Sequence, residues 1–89
     1  MRRNELFLLR EAADMTVILP VGPASNQFPG MISVNETGAF LWDLLETDQT
    51  PDTLSQALTG AYEVDLSQAK TDVLAFLVQL EGTGALLED

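Results

Sequence analysis

Hydrophobic residues in the first third of the chain fall in short runs that are typical of strands. Leu6–Arg10 and Met15–Val21 are two such runs, and residues 12–14 between them predict a hairpin turn. Gly22–Gly30 contains two prolines and two glycines and predicts a loop. Met31–Val34 then forms a third, brief strand. The pattern predicts a small three-stranded antiparallel sheet.

The hydrophobic period changes from two to 3.6 at Asn35. Asn35 is a good N-cap because its side-chain oxygen can accept a backbone N–H one turn into a helix, and Glu36 suits the positive end of the helix dipole. We expect Gly38, a poor helix former, to allow close approach by another backbone. The first helix is predicted to end near Glu46, with helical spacing of Gly38, Leu41, Trp42 and Leu45.

Two further helices are predicted in the second half of the chain. Thr50 followed by Pro51 marks the start of the second helix. Asp65 caps the third, and Gln68 three residues later predicts a capping box. The second helix has the apolar stripe Leu54, Ala57, Leu58, Ala61 and Tyr62. The third has the stripe Leu66, Ala69, Val73, Phe76, Leu77 and Leu80, and ends at Gly82 and Gly84.

The order of elements, three strands and then three helices, indicates an α+β fold. A small sheet and three amphipathic helices must bury their apolar faces against each other, which predicts one domain over residues 1–89 with a winged helix-turn-helix-like arrangement. The apolar tail Ala85–Leu87 either joins the sheet or covers the core. Because Met1 lies only a few residues before the first strand, we expect a free-standing protein.

Net charge changes the range of partners that we expect. The chain has 4 basic and 14 acidic residues, a net charge of −10. Proteins bind nucleic acid through clustered lysine and arginine, so the negative electrostatic field of this chain predicts a neutral or basic partner and no nucleic acid. The alternative is that the acidic residues serve only to keep the protein soluble. No apolar run approaches the roughly 20 residues of a membrane span. Glu5, Arg10 and Glu11 interrupt the apolar run at the start, so we expect no signal peptide and a cytoplasmic protein that does not contact membranes.

The residue types that most catalysis requires are missing. The chain has no histidine and no cysteine. The commonest general base, the commonest transition-metal ligands and the best nucleophile are therefore absent. We predict no cofactor, no metal site and no enzyme activity of the chain alone, which leaves binding.

Two surfaces are candidates for binding. At about 100° per residue, Leu74 and Val78 lie beside the main stripe of the third helix. They either line a partly exposed groove or are buried as well. Met31–Val34 is predicted to be an edge strand, whose unpaired backbone groups need cover or accept a strand from a peptide.

Several motifs in the last two thirds of the chain occur together. The first is Asn35–Ala39 before an aromatic-Leu-Leu helix, and the second is the junction Tyr62–Asp65. The third is a C-terminal pattern of Asp72, Val73, Phe76, Leu77, Leu80, Gly84, Leu86 and Leu87. In these motifs the segments VNETGAFLWDLLE and TPDTLSQALTGAYEVDLSQAKTDVLAFLVQLEGTGALLE resemble the PqqD family. That family acts in pyrroloquinoline quinone (PQQ) biosynthesis and, more broadly, as the recognition element for ribosomally made, modified peptides.

The resemblance implies a non-catalytic domain with three strands packed on three helices. Such a domain binds the leader of a precursor peptide as an added strand and presents it to a modifying enzyme, often a radical S-adenosylmethionine (SAM) protein. The implied groove has one wall of Met31, Ile32, Ser33 and Val34, and another of Lys70, Val73, Leu74, Leu77, Val78 and Glu81. The junction Asn35, Glu36, Thr37 and Gly38 is interpreted as structural, turning the strand into the helix.

Two other hypotheses stay open. A DNA-binding winged helix fits the architecture, with the third helix as the recognition helix. However, Asp65, Asp72 and Glu81 outnumber Lys70 there, so that helix would repel DNA phosphates. A protein–protein module or regulatory subunit would use Leu74, Val78 and the strand edge for assembly, for example as a homodimer.

Overall fold

The computed structural model describes residues 1–26 and 30–88. The predicted loop Gly22–Gly30 lies partly outside the described residues, and its first half forms a 3₁₀ helix, Gly22–Asn26. The strands are β1 (Arg2–Arg3), β2 (Phe7–Ala12), β3 (Met15–Pro20), β4 (Ile32–Val34) and β5 (Leu86–Leu87). The helices are α1 (Glu36–Leu44), α2 (Pro51–Ala61) and α3 (Leu66–Leu80).

The main sheet has the antiparallel order β2-β3-β4, and it packs with three helices as the α+β prediction requires. A two-residue turn, Ala13 and Asp14, joins β2 to β3. Such short hairpin turns favour positive φ, and Ala13 has φ 56°. The predicted third strand is β4, which lies at the edge of the sheet.

A second, two-stranded sheet pairs the two ends of the described chain. Arg2 and Arg3 of β1 lie opposite Leu87 and Leu86 of β5. The apolar tail therefore does not join the main sheet, and the sequence pattern did not predict β1. The Arg3 N–H also donates to the Leu45 carbonyl at 2.8 Å, which ties this small sheet to the end of α1.

Side-chain caps define the starts of the helices. The Asn35 side chain accepts from the Gly38 N–H at 2.9 Å, and that of Asp65 accepts from the Gln68 N–H at 2.8 Å, as predicted. The predicted box at α3 is incomplete, because the Gln68 amide donates to Asp72 instead. A complete box is formed at α2 by Thr50 and Thr53.

One hydrophobic cluster joins the sheet to all three helices, with Trp42 of α1 among its largest buried side chains. Two residues of the predicted stripes are exposed instead, Leu66 (45%) and Ala61. Ser55 of α2 is buried, and its hydroxyl donates to the Pro51 carbonyl at 2.8 Å. Periodicity alone misplaces Leu66 and Ala61 because each lies at a helix end, where the core no longer covers it.

Gly38 lies where α1, β4 and α3 meet. A Cβ atom at this position would lie 3.1 Å from the Val34 Cβ and 3.3 Å from the Phe76 Cδ1. The glycine therefore makes room for side chains, and the expectation that it admits another backbone is wrong. This contact holds α3 beside the start of α1, next to β4.

Candidate functional site

The hydrogen-bonding alternation of the main sheet determines which groups β3 presents to β4. The two-residue turn makes Ala12 and Met15 a hydrogen-bonded pair, and bonded and non-bonded pairs alternate along an antiparallel ladder. Met15 and every second residue after it therefore direct their N–H and C=O groups toward β2. Thr16 and Ile18 direct theirs toward β4.

Ser33 is the residue of β4 whose backbone groups face away from the sheet. Thr16 pairs with Val34, and Ile18 pairs with Ile32. Ser33 lies between these two pairs, so its N–H and C=O point to the outer edge. In this three-residue strand, the outer edge offers one donor and one acceptor at Ser33.

The Gln79 side chain of α3 reaches this edge. Its Nε2 donates a hydrogen bond to the Ser33 carbonyl at 2.5 Å, although the two residues are 46 positions apart in the chain. This bond independently confirms that the Ser33 carbonyl points away from β3. It also shows that α3 lies within one side chain's length of the β4 edge.

An open groove of about 620 Å³ runs between β4 and α3. We call it the edge groove. Its α3 wall consists of residues spaced at i, i+3, i+4 and i+7, which is one face of a helix. It is lined by Ser33, Val34, Asn35 and Thr37 on one side and by Asp72, Ala75, Phe76 and Gln79 on the other.

A second groove, of about 750 Å³, lies on the other side of α3. We call it the far groove. At about 100° per residue, the centre of its α3 residues lies about 180° around the helix from the centre of those that line the edge groove. Leu74 and Val78 are 56% and 65% exposed there. The far groove is lined by Leu74, Leu77, Val78, Leu80 and Glu81 of α3 and its end, and by Met1, Pro51 and Leu86 among others.

The structure thus divides the residues that sequence reasoning had placed in one groove. Ser33 and Val34 line the edge groove, whereas Leu74, Leu77, Val78 and Glu81 line the far groove. Lys70 is exposed one helical turn before Leu74, and Met31 is exposed just before β4. The side chains of Ile32 and Val73 are buried, so they support the two walls from beneath.

Asp72, Ala75, Phe76 and Gln79 form a wall that sequence reasoning missed. Periodicity groups these residues on one face but does not say what that face meets. Gly38 carried a usable signal, since a glycine in the first turn of α1 indicates a close neighbour. The close neighbours include Val34 of β4 and Phe76 of α3, and the Phe76 contact turns that side of α3 toward β4.

The junction between β4 and α1 forms one end of the edge groove. Asn35 Oδ1 accepts from the Gly38 N–H and from the Thr37 hydroxyl, each at 2.9 Å. These bonds hold Asn35 in an extended conformation, with φ −88° and ψ −176°, immediately before the helix. The strand therefore turns into α1 without a loop, and Asn35 and Thr37 add polar groups to the groove.

The edge groove offers the outward backbone groups of Ser33 and few charged side chains. Within residues 1–26 and 30–88, no group of three acidic, histidine or cysteine side chains could hold a metal ion. Asp72 is the acidic residue of the edge groove, and it accepts from the Gln68 amide at 2.9 Å.

In the same described ranges, no helix has the length and apolar character needed to cross a membrane.

Comparison with known proteins gives a family and a fold. The model of the family described as "Coenzyme PQQ synthesis protein D (PqqD)" matches residues 15–86. This range includes β3, β4 and α3, and therefore both walls of the edge groove. Comparison with curated proteins gave no match.

Two solved structures share the fold. One is TbiB1 in complex with the TbiA(beta) leader peptide, with a TM-score of 0.72, 22% sequence identity and 100% coverage of both chains. The other is a lasso peptide synthetase B1 complexed with the leader peptide, with a TM-score of 0.70 and 24% sequence identity. That match covers 98% of this chain and 96% of the other. At these identities the likeness establishes the α+β fold.

Proposed function

Because this chain belongs to the PqqD family, we propose that it binds the leader segment of a ribosomally made precursor peptide. The peptide adds as a strand to the outer edge of β4 and lies in the edge groove. Residues 1–89 act as one recognition domain, without a catalytic role, that presents the peptide to a modifying enzyme.

The observation that carries the proposal is the outward direction of the Ser33 backbone groups beside α3. An added strand lies about 4.8 Å from its neighbour and exchanges N–H···O=C bonds with it. The edge of β4 offers one such pair of groups at Ser33, and α3 supplies a wall against which side chains can pack. An edge strand without this wall would give backbone bonds but little selectivity.

Strand alternation assigns a direction to each peptide side chain. Ile32 and Val34 are buried on the face of β4 that packs on the core, while Ser33 is exposed on the opposite face. A peptide residue paired with Ser33 therefore points its side chain to the exposed face. Its two neighbours point toward Ala75 and Phe76, where apolar side chains are favoured.

The similar solved structures support the same ligand class, because both are complexes with leader peptides. The charge of this chain adds a preference. With a net charge of −10, it attracts a peptide that carries basic residues near the segment bound at β4.

The far groove supplies a second surface for the modifying enzyme, which we take to be a radical SAM protein. It lies on the opposite side of α3, so a bound peptide leaves it accessible. The pathway is PQQ biosynthesis or another route of peptide modification, and we place it in the cytoplasm. The family supports the choice of enzyme and pathway, and the separation of the two grooves supports different surfaces for peptide and enzyme.

The alternative is a protein–protein module or regulatory subunit that dimerises through the far groove. Exposed Leu74 and Val78 favour it, since large apolar side chains at the surface mark contact sites. The charge of −10 on each copy opposes self-association. Sedimentation equilibrium decides between the two, because a tight dimer that Leu74→Glu disrupts would establish the alternative.

The test of the proposed function is calorimetric titration with a synthetic leader of the short peptide encoded beside this gene. A scrambled peptide of the same composition is the matched control. We expect a dissociation constant near micromolar, about −8 kcal/mol, for the leader alone. Equal binding of both peptides, or no binding by the folded domain, would contradict the proposal.

A further inference from the structure

The Gln79 side chain occupies the position that a bound peptide needs. Its Nε2 donates to the carbonyl of Ser33, which is the outward acceptor of β4. A strand added at this edge directs one of its own backbone N–H groups at the same oxygen. Gln79 thus acts in the free protein as a substitute for the first hydrogen bond of the incoming peptide.

The Gln79 side chain and an added peptide strand compete for space as well as for the hydrogen bond to Ser33. A carbonyl oxygen has two lone pairs, so one acceptor alone does not exclude two donors. However, the Gln79 side chain crosses from α3 to Ser33 through the gap beside β4. The backbone of an added strand lies about 4.8 Å from β4 and therefore fills that gap. Gln79 must move to another rotamer before the strand can pair.

We propose that Gln79 is a latch on the β4 edge, which closes the free edge and must be displaced for a peptide to bind. This inference rests on the proposed function and adds a regulatory residue to the same site. The latch covers an edge that would otherwise pair with any exposed strand. It also favours peptides whose side-chain contacts with α3 make up for its displacement.

The latch predicts that removing the Gln79 amide strengthens peptide binding. Gln79→Met keeps an unbranched side chain of similar length but cannot donate a hydrogen bond. Because one net hydrogen bond is lost from the free state alone, we expect the leader to bind about two- to tenfold more tightly. Gln79 is exposed on α3, so the fold should tolerate the change.

Gln56→Met is the matched control, since Gln56 is an exposed glutamine on α2, outside both grooves. Each protein is titrated with the synthetic leader by calorimetry. Tighter binding by Gln79→Met and unchanged binding by Gln56→Met support the latch. Unchanged or weaker binding by Gln79→Met, while the wild type binds, overturns it.

A measurement on the free protein separates this inference from the proposed function. The side-chain amide of Gln79 is followed by ¹⁵N NMR as temperature rises, with the Gln56 amide as the internal reference. A hydrogen-bonded Gln79 proton should lie downfield and shift less with temperature than its Gln56 counterpart. If the two amides behave alike, the latch is refuted, whether or not the leader binds.

Discussion

Replacing Ser33 by proline deletes the one outward backbone donor of β4. Proline lacks an N–H, and it is tolerated on an edge strand where that N–H faces away from the partner strand. The alternation of pairs places the Ser33 N–H on that outer side, so the ladder to β3 remains. Ile32 before it is already in a strand, which is the conformation that a following proline favours.

The magnitude follows from the hydrogen bond that a bound peptide loses. One net bond contributes about 0.5–1.5 kcal/mol, and the cost rises to about 1–3 kcal/mol where the peptide carbonyl is left unpaired in the groove. We therefore expect Ser33→Pro to weaken leader binding by about 1–3 kcal/mol, or about 5- to 150-fold. Ser33→Ala is the matched control, since it keeps the N–H and changes only an exposed side chain.

Calorimetric titration of both variants measures the effect, and thermal unfolding monitored by circular dichroism checks the fold. Near wild-type binding by a folded Ser33→Pro would show that the peptide does not pair with this edge. An unfolded Ser33→Pro beside a stable Ser33→Ala would show that the N–H belongs to the ladder. The first result would refute strand addition at Ser33, and the second would refute the assignment of Ser33 as the outward residue.

Three further variants test the two grooves and the fold. Leu74→Glu should bind the leader with an affinity within about threefold of wild type, since this exposed side chain lines the far groove. A loss of leader affinity in titration as large as that of Ser33→Pro would contradict the separation of the peptide site from the far groove. Gly38→Ala should lose about 1 kcal/mol in urea unfolding, because overpacking against Val34 and Phe76 exceeds the gain in helix propensity; a stabilised variant would refute that contact. Ala13→Gly should gain about 0.5–1 kcal/mol in the same assay, because glycine removes the strain of a positive φ, and a loss would argue against this turn.

Features set by neighbouring residues could be predicted from the sequence. The caps at Asn35 and Asp65 form as expected because each needs only a polar side chain and an N–H three residues later. The hairpin and the brief third strand follow from short apolar runs and turn residues. The order of elements was therefore sufficient to predict the α+β class.

Features set by distant contacts could not be predicted. The strand β1 has only two residues and forms because β5, at the other end of the chain, lies beside it. Likewise, periodicity grouped Leu74 with Val78 correctly, but the rotation of α3 depends on how Phe76 packs against Gly38. That rotation turns Gln79 toward β4 and Leu74 away from it, and so divides the predicted groove in two.

The most direct test of the account is to locate the bound leader by NMR. Backbone and side-chain amides of ¹⁵N-labelled protein are followed as the unlabelled synthetic leader is added. We predict that the largest changes occur at the Ser33 N–H and the Gln79 side-chain amide, with little change at Leu74 and Val78. Changes centred on Leu74, Val78 and Leu86 would place the peptide in the far groove and contradict strand addition at β4.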